Sequence, residues 1–187
     1  MKVEIVNQQK LYPIDRKKIR RIINTILKDE KKDAELSVVF LDNKRIKEIN
    51  KIFLHHDDVT DVLSFAYSEP FLKDAGVQQR RRETTLRLPL SEEVEKRNMM
   101  CSGRDEERKF LSAETVTGEI IVSVEMAVQI AKKQGYSIEG EIILYVIHGL
   151  LHLIGYDDKR KREAKKMHQR EKELLLYFGY TTIPVPN

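Results

Sequence analysis

The chain has 187 residues, 41% hydrophobic and 34% charged, values that describe one soluble globular domain long enough to bury a core. Its 34 basic and 30 acidic side chains leave a net charge of only +4, so the placement of charge says more than its sum. A lone cysteine, Cys101, excludes an intramolecular disulfide and a thiolate metal cluster.

Residues 2–6 alternate in polarity and predict a strand. From Asp15 to Leu27, isoleucines at 19, 22, 23 and 26 recur at helical spacing and predict an amphipathic helix. ELSVVFLD at 35–42 reads as a second strand, and Asn43 as the cap of a short helix with Ile46, Ile49 and Phe53 on one face. Two further strands are expected at 62–67 and 119–124. Between them, from about 66 to 116, lie the basic cluster Arg80–Arg82, a proline-bounded turn at Leu88–Leu90 and a highly charged run at 91–110. No second core is visible there, so the stretch reads as an insertion, partly helical and partly mobile, in a single domain over 1–187.

The remainder predicts three helices. The first covers 124–133 and stops near Gly135; the second is capped by Ser137, with Glu139 and Glu141 in its first turn, and ends at Gly155. The last covers 159–178 and is expected to bury Ala164, Met167, Leu174, Leu175 and Phe178. The segment Ile142–Ile154 is apolar on nearly every side, which predicts the central, buried helix. It is too short to span a bilayer, and the N-terminus carries no apolar run of signal-peptide length, so a cytoplasmic protein is expected.

The chemistry concentrates in IHGLLHLIGYDD, residues 147–158. Residues four apart on a helix point the same way, so His148 and His152 can bind one metal ion through their imidazoles. The alternative is two core histidines satisfied by backbone carbonyls, on a helix otherwise too apolar to solvate them. Gly155 can take a left-handed conformation and turn the chain back, as in the long zincin motif HExxHxxGxxH. The third ligand position of that motif falls on Asp158. A carboxylate there adds negative charge, lowers the Lewis acidity of the metal, and widens the choice from zinc toward manganese. The glutamate that serves as general base in HExxH proteases is Gly149 here, which argues against a peptidase. RNA, by contrast, carries its own nucleophile in the 2′-hydroxyl.

His148 to Asp158 closely resembles the signature HGxLHLxGYDH of the YbeY family of bacterial endoribonucleases. Thr60–Phe65 is similar to the family's T(D/N)VLSF strand, and Gly118–Ser123 to its LGDIxI strand. The resemblance implies a compact α+β domain with a small mixed four-stranded sheet, about five helices and zincin-like metal-site geometry. It also implies a zinc-dependent endoribonuclease specific for single strands, acting on ribosomal RNA of the small subunit in 16S 3′ end maturation and ribosome quality control. No membrane or DNA partner is implied. His148 and His152 match two of three ligand histidines, and the third is replaced by Asp158. An arginine characteristic of the family falls on Leu54, and the neighbouring His55 and His56 are candidates to compensate, His56 as a catalytic proton donor. His168, on the charged last helix, is expected at the surface rather than in the site. Basic runs at Arg16–Arg21 and Lys159–Arg162 read as solvated faces that, beside an active site, would also attract a polyanion. The two altered positions also motivate another reading, a ribosome-associated RNA-binding factor with a structural metal and weak or lost nuclease activity.

Overall fold

Four strands rich in β-branched residues make one sheet in the order β1-β2-β4-β3. They are β1 (Lys2–Asn7), β2 (Asp33–Leu41), β3 (Val62–Ala66) and β4 (Thr115–Ser123). The structure is a computed structural model that describes residues 1–67 and 115–181. The expected character of the 66–116 insertion therefore lies outside the described residues, apart from its two flanks. The strands β1, β2 and β4 run parallel, whereas β3 pairs antiparallel with β4, with Leu63 opposite Ile121. This is the mixed four-stranded sheet that the resemblance implied. The last residues of β2 and β4 are buried without alternation, as expected where a parallel sheet is covered on both faces.

Five helices are described: α1 (Arg16–Asp29), α2 (Asn43–Leu54), α3 (Val124–Gln134), α4 (Ile138–Leu153) and α5 (Lys161–Tyr177). Their starts follow capping chemistry, in which a side-chain oxygen accepts from an otherwise orphaned helical N–H. Asp15 accepts from the Lys18 N–H, Ser123 from that of Met126, and Ser137 from that of Gly140. Asp42, rather than Asn43, caps α2 by accepting from the Arg45 N–H. Asn43 is instead engaged by the Ser123 hydroxyl, which donates to its Oδ1 at 2.6 Å and so joins α2 to the end of β4. In α5, Met167, Leu174 and Leu175 are buried as expected, but Ala164 and Phe178 are only half-buried.

Helix α4 is the central element. Only Ile138, Glu139, His148 and His152 fall outside its buried set, so beyond the first turn the two histidines mark the one place where it opens to solvent. Its seat on the sheet depends on Gly149. A β-carbon there would lie 2.7 Å from Ile120 Cγ2 on β4 and 3.1 Å from Val62 Cγ2 on β3. Among the described residues, no helix is long and apolar enough to cross a membrane.

Candidate metal centre

One turn of α4 separates His148 from His152, and their rings meet edge to face with centroids 4.6 Å apart. The two Nε2 atoms converge to 3.1 Å. Past the helix, the Gly155 N–H donates to His152 O and the Tyr156 N–H to Leu151 O, at 3.1 and 2.9 Å. This double closure is a Schellman turn, and it needs the left-handed Gly155, whose φ is +107°. The turn reverses the chain and brings Asp158 Oδ2 to 3.8 Å from His152 Nε2. One ligand atom from each of His148, His152 and Asp158 lies within 4.8 Å of the others. The neighbouring carboxylate, Asp157, accepts from the Lys159 backbone N–H at 3.3 Å, and so braces the loop.

The outer ring nitrogens fix the chemistry of the inner ones. His148 Nδ1 donates to Glu171 Oε1 at 2.7 Å, and His152 Nδ1 donates to Tyr156 O at 3.2 Å. Because both partners are acceptors, the proton of each neutral ring belongs on Nδ1, and the neutral rings aim their Nε2 lone pairs at each other. Two acceptors 3.1 Å apart repel unless a proton or a metal ion sits between them. Two nitrogens on one tetrahedral zinc at ~2.0–2.1 Å stand about 3.3 Å apart, so the donor set fits a divalent ion. A carboxylate behind a ligand histidine also orients the ring and raises its basicity. Burial alone would lower the His148 pKa. The hydrogen bond that His148 donates to Glu171 and the charges of Glu171, Asp61 and Asp158 outweigh it and raise that pKa, so the pocket favours positive charge.

Glu171 is 1% exposed. Sequence reasoning overlooked it because α5 is heavily charged. The signal was its place on the buried stripe of that helix, four residues after Met167 and three before Leu174. Asp61 was also missed. Its Oδ1 accepts from the Val62 N–H at 2.8 Å, and its charge reaches His148. A third missed feature is Arg170, whose Nε donates to Glu30 Oε1 at 2.8 Å and whose Nη2 pairs with Asp29. The Tyr156 hydroxyl donates to the same Glu30 at 3.4 Å. Thus the end of α1, helix α5 and the loop bearing Asp158 are tied together. A cavity of ≈ 590 Å³ opens on that loop, lined in part by Tyr156, Asp157, Lys159, Arg160 and Lys166.

The other expected site residues are placed elsewhere. His56 is exposed on the loop after α2, its backbone N–H donating to Asn50 O at 3.4 Å, and the His148–His152–Asp158 group does not include it. His55 closes α2 in a left-handed conformation with φ 58°, and Leu54 is 46% exposed. His168 is half-buried rather than a surface group, with Nδ1 enclosed and without a hydrogen-bond partner among the described residues.

Replacing Glu171 with glutamine keeps the shape but weakens the charge-assisted bond to His148. Metal affinity is expected to fall ~10–100-fold, the usual effect of losing such a partner. Competition with a chromophoric chelator measures it, and unchanged affinity would mean that Glu171 does not support the ligand.

Residues 4–179 match the family described as Endoribonuclease YbeY. An Endoribonuclease YbeY of Clostridium botulinum is 36% identical over 182 residues, covering 95% of this chain and 98% of its own. One of Bacillus cereus is 33% identical over 163 residues, covering 86% and 85%. The solution structure of a Thermotoga maritima protein is similar in fold, with a TM-score of 0.52 at 22% identity over 92% of this chain and 86% of that one. With nearly the whole chain matched at this level of identity, it belongs to the YbeY family of endoribonucleases.

Proposed function

We propose that this chain is a metal-dependent endoribonuclease that cleaves single-stranded RNA, with small-subunit ribosomal RNA as its substrate in 16S 3′ end maturation and ribosome quality control. The observation that carries the reading is the convergence of two imidazole Nε2 atoms 3.1 Å apart beside the Asp158 carboxylate. His148, His152 and Asp158 would hold a divalent ion, zinc or, given the carboxylate, manganese, and that ion supplies Lewis acidity toward phosphate and acidified water.

The chain's own groups do the rest. Glu171 and the Tyr156 carbonyl lock both imidazoles in the tautomer that leaves Nε2 free. Lys159, Arg160 and Lys166, around the cavity beside the ligand loop, attract and orient the phosphate backbone. Gly149 offers no carboxylate base, which suits a substrate that carries its own hydroxyl. Leu54 supplies no cation to the developing phosphate charge, so that task falls to the lysines and arginines of the loop. His56, exposed on its loop, is assigned as the proton donor to the leaving oxygen.

Purified protein loaded with zinc or manganese should cut single-stranded ribosomal RNA and lose that activity on chelation. A chain that binds neither ion and leaves the RNA intact would sink the proposal. Asp158→Ala should lower metal occupancy at least tenfold, because two imidazoles alone leave the ion without its third protein ligand. Asp158→His should restore occupancy and favour zinc over manganese. Full occupancy in Asp158→Ala, read by elemental analysis, would exclude Asp158 as a ligand.

A further inference from the structure

Helix α1 buries Ile19, Ile22, Ile23, Ile26 and Leu27 and turns a cationic face outward. That face carries a groove of ≈ 420 Å³ lined by Lys17, Arg20, Arg21, Asn24, Thr25 and Lys28, so every ionisable side chain lining it is positive. Cationic helix faces are commonly just solvated, and three observations separate this one from that default. First, α1 sorts its charges. Lys18, outside the groove, is paired with Glu139 at 2.7 Å, whereas the side chains of Lys17, Arg21 and Lys28 have no hydrogen bond or ion pair among the described residues. Arg20 uses only Nε, donating to Val3 O at 3.2 Å. Neighbouring acids are occupied elsewhere: Asp15 caps the helix, while Asp29 and Glu30 hold Arg170. Second, the half-buried Asn24 side chain has no hydrogen bond among the described residues; its Oδ1 is enclosed, which leaves its amide NH2 as the group able to donate to an anion in the groove. Third, the C-terminal end of α1 is tied through Glu30 to Tyr156 on the ligand loop, next to the cavity that holds Lys159, Arg160 and Lys166.

We propose that the α1 groove is a second RNA contact, which grips the phosphate backbone of the substrate strand outside the cleavage site. The inference rests on the endoribonuclease reading for the identity of its ligand. From Lys17 to Lys28 the helix axis advances ~16 Å at ~1.5 Å per residue, the length of about five phosphates in a stacked strand at ~3.4 Å each. Such a contact reads no sequence. It raises affinity for long strands and leaves the chemical step alone.

The test compares the full metal-loaded chain with the triple variant Lys17→Gln, Arg21→Gln, Lys28→Gln, leaving Arg20 on Val3. Binding of a fluorescent single-stranded RNA of about 20 nucleotides is measured across a salt series, and its cleavage is measured at low and saturating RNA. The expected result is affinity at least tenfold weaker, KM raised in step, kcat unchanged, and the slope of log Kd against log salt reduced by about 2, at ~0.7 per lost phosphate contact. A tetranucleotide too short to reach both regions should be bound and cut as well by variant as by wild type. Lys17→Arg with Lys28→Arg should keep the wild-type slope, which guards against a loss caused by local unfolding. Unchanged affinity and salt slope in the triple variant overturn the proposal, as does loss of binding to a polyglutamate probe with RNA binding intact, which would mark an acidic protein partner. A chain that binds RNA through the groove but never cuts it would overturn only the nuclease reading.

Discussion

Replacing His152 with alanine is expected to abolish cleavage of single-stranded RNA, by three orders of magnitude or more, while costing the metal-free fold only ~1 kcal/mol. The activity loss follows from removing one of two imidazole ligands, and a contribution of several kcal/mol to the barrier corresponds to such a factor. The small stability cost follows from what His152 leaves behind. Its Nδ1 partner is the Tyr156 carbonyl, an oxygen that water can satisfy on a half-exposed loop. His148→Ala should behave differently. It abolishes activity to the same degree but strands the carboxyl of Glu171, 1% exposed, and is expected to destabilise the metal-free fold by ~3 kcal/mol or more. Adding Glu171→Leu to His148→Ala should recover part of that stability and none of the activity. Urea unfolding with chelator present, so that metal linkage contributes equally to each variant, gives the stabilities; gel assays with added zinc or manganese give the activities. If His152→Ala loses stability only when unfolding is repeated with zinc in place of chelator, yet retains whatever cleavage the wild type shows, the metal is structural and the chain is a binding factor.

The second large effect is at Gly149. Installing glutamate there recreates the HExxH pattern of a zinc protease, and the variant is expected not to fold. A β-carbon at this position would already press to 2.7 Å from Ile120 Cγ2, and Ile120 is 0% exposed. Overpacking alone costs ~1–3 kcal/mol, which is the expected loss for Gly149→Ala. Glutamate adds a carboxylate with no partner between helix and sheet, a further penalty of several kcal/mol. The sum is comparable with the ~5–15 kcal/mol stability of a typical domain. Soluble expression, circular dichroism and the urea midpoint measure it. A folded Gly149→Glu protein with a midpoint near wild type would show that α4 sits on the sheet more loosely than the contacts indicate. The missing base and the close seat are thus one fact: the residue between the histidines faces β4, where chemistry is impossible and space is absent.

The helices and strands were largely legible from hydrophobic spacing, since α1, α4 and β2 carry periodicities that neither turn chemistry nor propensity contradicts. The metal-capable triad was legible because a helix and a glycine turn place its three members within eleven consecutive residues, so local geometry suffices. What the sequence concealed depends on tertiary contact. Glu171 meets His148 across the packing of two helices, and the Arg170–Glu30–Tyr156 junction joins residues more than a hundred positions apart. Asp42 displaced Asn43 as a cap because two good capping residues stood side by side, and the hydroxyl of Ser123 claimed the second.

The pairing of β3 with β4 bears on how this chain can vary. Ala66 sits opposite Gly118, and the Tyr67 N–H donates to Thr117 O at 2.7 Å, so the backbone leaves the sheet and re-enters it on adjacent antiparallel strands. Any length of polypeptide can be spliced between those two exits without shifting a single rung of the ladder, as between the stems of a hairpin. The fold thus has a built-in port, at which a cassette can be enlarged, exchanged or trimmed to a tight turn, and it opens beside Leu153, the last residue of α4, where the metal-binding loop begins.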